Sequence, residues 1–261
     1  MTEAQPAPTH RVVVLGASNV SVGLPQLVAT AQSLGHGPAD ILLAMGHGRS
    51  YGQWSSVPGR ALPGILQCGL WEALAEREPL PTTALLTDIG NDLFYRVEPE
   101  ILAGWVAECV DRLADAGADV AVTGLPLPEV TGLGPVRYRI FRTIFFPAWG
   151  QTLTHLSAVA SQVNEAVKQH ASNQGARHTP LRSEWYGFDP IHIKPWRFKE
   201  VWPLLLNASK HAGSNGSRSL SLTTSLSLRR AKPLEARVLG RRRCCDQPCR
   251  VLGDGTRVSL F

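Results

Sequence analysis

The stretch Arg11-Val12-Val13-Val14-Leu15-Gly16-Ala17-Ser18-Asn19 decides how the rest of the chain is read. Its apolar run, 12–15, has three β-branched residues and no polar alternation. That pattern predicts a strand buried on both faces, as in a parallel sheet covered by helices. The run ends at Gly16. A serine two residues later stands where a strand turning into a helix projects a hydroxyl over the sheet edge, and a helix N-terminus favours developing negative charge. Ser18 as a simple helix cap is the plain alternative. A nucleotide loop is another, but neither GxGxxG nor GxxxxGK(S/T) occurs.

Working outward, further apolar strands are expected at 41–45, 83–89 and 120–125, with a poorer short one ahead of Ser183. Helical patterns fill 25–33, 61–76, 98–116 and 153–169. The pattern over 98–116 is the clearest: Ile101, Trp105, Cys109 and Leu113 recur every four residues, with Leu102, Val106 and Val110 beside them. Strand alternating with helix, joined by right-handed crossovers, predicts a three-layer α/β/α sandwich with a mainly parallel sheet. Ligands of such sheets sit at the carboxyl ends of the strands.

The chain has 261 residues, of which 44% are hydrophobic, enough for one sizeable core. The expected division is a flexible N-terminus at 1–10, one domain at 11–212, and a tail at 213–261 that opens on a Ser-rich linker, 213–228. Asp254-Gly255 signals a terminal hairpin within 250–261 that can dock on the body. The net charge of +5 comes largely from late arginines such as Arg237, Arg241, Arg242 and Arg243. It describes the tail more than the body, and no recognition motif supports a nucleic-acid partner. No apolar run reaches eighteen residues, so no membrane-spanning helix is expected. The Pro-rich start carries no apolar signal core, which makes the cytoplasm the expected location. Cys68 and Cys109 are expected as buried thiols. Cys244, Cys245 and Cys249 lack a paired CxxC or a nearby His, so a zinc site there is a minor alternative.

Three more segments carry chemistry. Gly46-His47-Gly48-Arg49-Ser50-Tyr51-Gly52 follows the second strand, and glycines there let a backbone N–H approach a reacting oxygen. An ordinary flexible loop is the competing reading, with His47 a loop residue rather than a base. Thr87-Asp88-Ile89-Gly90-Asn91-Asp92 ends the third strand. Asn91 offers an amide donor suited to an oxyanion, or it makes an Asx-type turn. In Asp189-Pro190-Ile191-His192 a carboxylate three residues before a His can hold Nδ1–H and leave Nε2 to take a proton from a serine. A capping Asp and a surface His are the alternative.

These four signals, in this order, resemble the SGNH (GDSL-like) hydrolase family over 11 to about 207. The resemblance implies a flavodoxin-like sandwich and a catalytic triad of Ser18, His192 and Asp189. It also implies an oxyanion hole of the Ser18 N–H, the Gly48 N–H and the Asn91 side chain. The first block departs from the family, reading Gly-Ala-Ser-Asn in place of Gly-Asp-Ser. The third has Ile89 at the family's glycine. The activity implied is hydrolysis of a carboxylic ester through an acyl-serine, with no metal or organic cofactor. Its substrate would be a small-molecule, carbohydrate or lipid ester. Acyl transfer by the same triad and a catalytically silent binding module are the rival readings. The segment 138–149 mixes Arg with large apolar residues and reads as a lid, a membrane-touching segment or a packed helix. Trp185, Tyr186, Trp196 and Phe198 flank His192 as pocket or core residues.

Overall fold

Val12, Val13, Val14 and Leu15 are fully buried at the centre of a seven-stranded sheet. The structure is a computed structural model that describes residues 6–126, 152–206 and 219–261; the segment 138–149 lies outside them. Strand β1 (His10–Leu15) is paired in parallel with β2 (Ala39–Ala44) on one side and β5 (Thr82–Leu86) on the other. Val12 stands opposite Ile41 and Thr83. Strands β6 (Asp119–Thr123) and β7 (Arg177–Thr179) extend the sheet, also in parallel. The order β2-β1-β5-β6-β7 is the flavodoxin winding, and its direction reverses between β1 and β5.

The two faces of β1 follow from strand alternation. Val13 and Leu15 pack with helices α5 (Pro99–Asp115) and α6 (Leu153–Asn173). Val12 and Val14 pack with α2 (Leu24–Ala31) and α7 (Phe198–Leu205). A sheet buried on both faces explains why its strands are continuously apolar. In α5 the inward stripe is Leu102, Val106, Cys109, Val110 and Leu113, while Ile101 is half exposed.

The helix expected at 61–76 is not continuous. Residues Arg60–Leu62 form strand β4, Ile65–Gln67 a 3-10 turn, and only Leu70–Glu76 a helix, α3. Pro63 lacks an N–H, and the backbone at Gly64 passes so close to its neighbour that a Cβ there would lie 2.6 Å from Gln53 N.

The C-terminal region is arranged differently from a detached tail. Part of the expected linker forms helix α8 (Leu222–Arg229), with Leu228 buried. Strand β8 (Glu235–Val238) pairs with β4, and β9 (Arg241–Cys244) pairs with β8. With β3 (Ser55–Val57) they make a second, antiparallel sheet. The terminal hairpin is present as β10 (Arg250–Val251) and β11 (Arg257–Leu260). Strand β11 joins the main sheet in parallel with β2, Val258 opposite Ile41. Val258 and Leu260 are buried in the core face that also holds Ile41 and Leu43. Gln32 donates to Asp254 at 2.6 Å, and Arg77, which pairs with buried Asp40, donates to Ser259 at 3.0 Å. The last strand thus caps what would otherwise be an open edge of β2.

Candidate active site

The carboxyl ends of β1 and β5 meet at the point where the sheet winding reverses. Ser18 opens the short helix α1 (Ser18–Val22) directly after β1. Its Oγ lies 3.0 Å from Nε2 of His192, and His192 Nδ1 lies 2.5 Å from Asp189 Oδ2. Residues 174 apart in sequence are therefore within one hydrogen bond.

The loop that carries His192 is held at its base and across its top. Tyr186 and Ile193 form an antiparallel bridge, and Lys194 N donates to Trp185 O. Asp189 Oδ1 accepts the N–H groups of Ile191 and His192 at 3.0 and 3.2 Å, an Asx turn that leaves Oδ2 for the imidazole. Burial opposes the charge of Asp189. The hydrogen bond from His192 and the two backbone donors outweigh it and hold the carboxyl below its usual range. Burial likewise opposes a charged His192. The Asp189 hydrogen bond and charge, with a further contribution from Asp88, carry its pKa above the ordinary value.

Two residues to which the sequence reading gave no part in the triad or oxyanion hole, Asp88 and Asn19, tie these loops together. Asp88 Oδ2 accepts the N–H groups of Ala17 and Asn19 at 2.8 and 3.0 Å, and its Oδ1 accepts from Asn19 Nδ2 at 2.7 Å. The amide between them, that of Ser18, begins a helix and has no intrahelical acceptor. Asn19 Nδ2 also donates to Ile191 O, and Asn19 Oδ1 accepts from Ile193 N at 2.8 Å. One amide thus aligns the serine turn with the histidine loop. Asp88 holds φ at 58°, a left-handed conformation uncommon for a side chain other than Gly or Asn. A carboxylate lies under the serine turn after all. It comes from the end of β5, while position 17 is Ala.

The glycine loop is anchored by the second acid of this segment, which lies in the short helix α4 (Asn91–Phe94). Buried Asp92 accepts from the Ser50 hydroxyl and from Tyr51 N, the latter at 3.0 Å. Burial dominates and pushes its pKa up to about 6 despite those donors. Asn91 donates to Arg49 O at 3.3 Å, which ties it to the same loop. Gly48 has φ of +63°, and its carbonyl accepts from Tyr95 Oη at 2.5 Å. Ser18 and Asn91 share an apolar cleft with Ile89, Leu93, Phe94, Leu125, Leu156 and Tyr186. Gly48 is not among the described residues lining that cleft. His47 is placed beyond it, facing a second cavity.

Of the aromatic residues around His192, Trp185 and Phe198 are core residues, Tyr186 lines the cleft and Trp196 is exposed. Cys68 and Cys109 are buried thiols. Among the described residues no group of three or more His, Cys, Asp or Glu is arranged to hold a metal ion. No described helix is long and apolar enough to cross a membrane.

No protein-family model and no curated protein matches the chain. Solved structures do. The inhibitor-bound form of an aryl esterase of M. smegmatis is 14% identical, with a TM-score of 0.53 over 78% of this chain and 100% of that one. A further crystal structure is 16% identical, with a TM-score of 0.52 over 77% of this chain and 96% of that one. The likeness is one of fold: the chain shares the α/β/α architecture of these structures.

Proposed function

We propose that the protein is a serine hydrolase that cleaves carboxylic esters through an acyl-Ser18 intermediate. The observation that carries this reading is the line Ser18 Oγ–His192 Nε2–Asp189, with 3.0 and 2.5 Å between successive partners. His192 takes the Ser18 proton as Oγ attacks the acyl carbon. The alkoxide leaves with that proton, and a water activated by the same imidazole releases the acid. Asp189 holds the tautomer and stabilises the imidazolium. In this reading the oxyanion is met by the Ser18 N–H, the Gly48 N–H and the Asn91 amide. Support for the Ser18 N–H comes from Asp88, which occupies the amides on either side of it. Support for Asn91 comes from its place in the cleft beside Ser18. The Gly48 N–H is assigned by its loop, which Asn91 and Asp92 both hold.

The apolar walls of the cleft suit an acyl chain. The solved structures with the same fold include an enzyme named as an aryl esterase, which fits this chemistry. The test is turnover of short-chain aryl esters by wild type and by Ser18→Ala, with an acceptor alcohol added in parallel. Turnover confined to wild type supports the reading. Transfer to the alcohol in place of release to water would mark an acyltransferase using the same residues. No turnover with any ester would favour a silent binding module.

A further inference from the structure

A second cavity, of about 200 Å³, opens beyond the helix that carries Ser18. Its walls include Leu24, Leu62 and Leu228, and its polar groups are Ser21, His47, Arg60 and Arg229. Among the described residues that line it there is no carboxylate. The Arg60 side chain has no hydrogen bond or ion pair among the described residues, and burial works against its charge. Arg229 donates only to a backbone carbonyl, Val22 O, at 3.3 Å. Two arginines lining one concavity, with no acid among its described lining residues, form a positive site that concentrates the field on whatever enters.

The cavity borders the helix that begins at Ser18. Ser21 and Val22 belong to the same short helix as Ser18. His47 feels the charges of both Arg60 and His192, with burial the larger influence on it and Asp88 acting in the opposite sense. The apolar cleft contains Ser18, and this cavity, which shares no lining residue with the cleft, begins at Ser21 on the same short helix. The leaving oxygen of an ester takes its proton from His192, so the alcohol portion belongs on the histidine side.

We propose that the cavity of His47, Arg60 and Arg229 binds a phosphate group on the alcohol portion of the substrate, which makes acyl esters of phosphorylated alcohols the preferred class. This rests on Ser18 being the nucleophile. Two arginines match the double charge of a phosphate monoester, and their planar donors suit its oxygens. The reaction is unchanged in its balance: the acyl carbon–oxygen bond breaks, the alkoxide takes the His192 proton, and the phosphorylated alcohol departs with its phosphate intact.

The test compares 2-(hexanoyloxy)ethyl phosphate with 2-hydroxyethyl hexanoate, which lacks the phosphate. The wild-type enzyme is expected to favour the phosphorylated ester by about tenfold or more in kcat/KM. Arg60→Gln and Arg229→Gln are each expected to reduce that ratio by about tenfold, with Arg60→Lys retaining part of it. Because Arg229 lies at an exposed helix end, its variant serves if Arg60→Gln fails to fold. A wild-type ratio near one, or a ratio unmoved by the variants, would overturn the proposal while leaving the hydrolase reading in place. Calorimetric binding of 2-hydroxyethyl phosphate to Ser18→Ala protein supplies a readout independent of turnover. If neither ester is cleaved, the hydrolase reading fails. Binding that Arg60→Gln or Arg229→Gln abolishes then still supports the phosphate site, and no binding refutes it.

Discussion

Asp88 and Asp92 stand four residues apart on the segment after β5, the first before and the second inside a short helix, and face different ways. Asp88 turns toward β1 and takes three N–H groups from Ala17 and Asn19. Asp92 turns toward the glycine loop, where it receives the Ser50 hydroxyl and the Tyr51 amide. Asp88 keeps its donors close to the candidate reaction centre, at the cost of a left-handed backbone. Asp92 is buried deeply enough for its acid form to persist to about pH 6. The difference teaches that one segment organises two walls of the site by different means. One acid orients the serine turn by charge-assisted hydrogen bonds. The other fastens a neighbouring loop to the fold.

Asn91 lies between them and offers the largest effect. If its amide meets the oxyanion, Asn91→Ala lowers kcat by about a hundredfold or more, with a modest change in KM. Steady-state kinetics on an aryl ester check this, and a normal kcat removes Asn91 from the oxyanion hole.

Asp88→Asn sharpens the contrast. Asparagine tolerates the left-handed backbone but offers one acceptor oxygen where two are used, so kcat is expected to fall by about tenfold through a loosened serine turn. The variant also has a signature in pH. His192 must be neutral to take a proton, so activity rises as pH rises through its pKa. The negative charge of Asp88 helps to raise that pKa. Removing the charge lowers it, and the acid limb of kcat/KM moves to lower pH. An unmoved limb would mean that Asp88 does not act on His192.

Asp92→Asn is expected to have the smallest effect on turnover, about threefold or less, and to register in stability instead. An acid whose folded pKa lies above its ordinary 3.8 binds more protons in the native state. Its contribution is therefore present below about pH 4 and is lost as pH rises through about 6. Wild type should lose melting temperature between pH 5 and 7.5 relative to Asp92→Asn, by a few degrees. Parallel curves for the two proteins would show that Asp92 does not titrate in that window.

The parts of the molecule that were legible in the sequence depend on local signals. The apolar run before Gly16 announces a buried strand, and the three-residue spacing of Asp189 and His192 reflects a single turn. The amphipathic period of α5 survives in Leu102, Val106 and Val110. What escaped depends on partners distant in the chain. Asn19 reads as one polar residue after a serine, yet it bonds to Ile191 and Ile193. The arginines at 241–243 read as part of a tail, yet they form an exposed strand paired with β8, which itself pairs with β4. Strand β11 has a readable turn at Asp254-Gly255. Its place beside β2 is set by an open strand edge that no local pattern announces. At 61–76 the apolar content imitated a helix, and the close crossing at Gly64 forbids one.

The central claim is that Ser18 is the nucleophile, and covalent labelling tests it most directly. Wild-type protein is incubated with a serine-directed alkyl phosphonate, and the adduct is located by peptide mass mapping. A single adduct on Ser18, absent from Ser18→Ala and strongly slowed in His192→Ala, is the predicted result. An adduct on another residue, or ester turnover that persists in Ser18→Ala, would contradict the account.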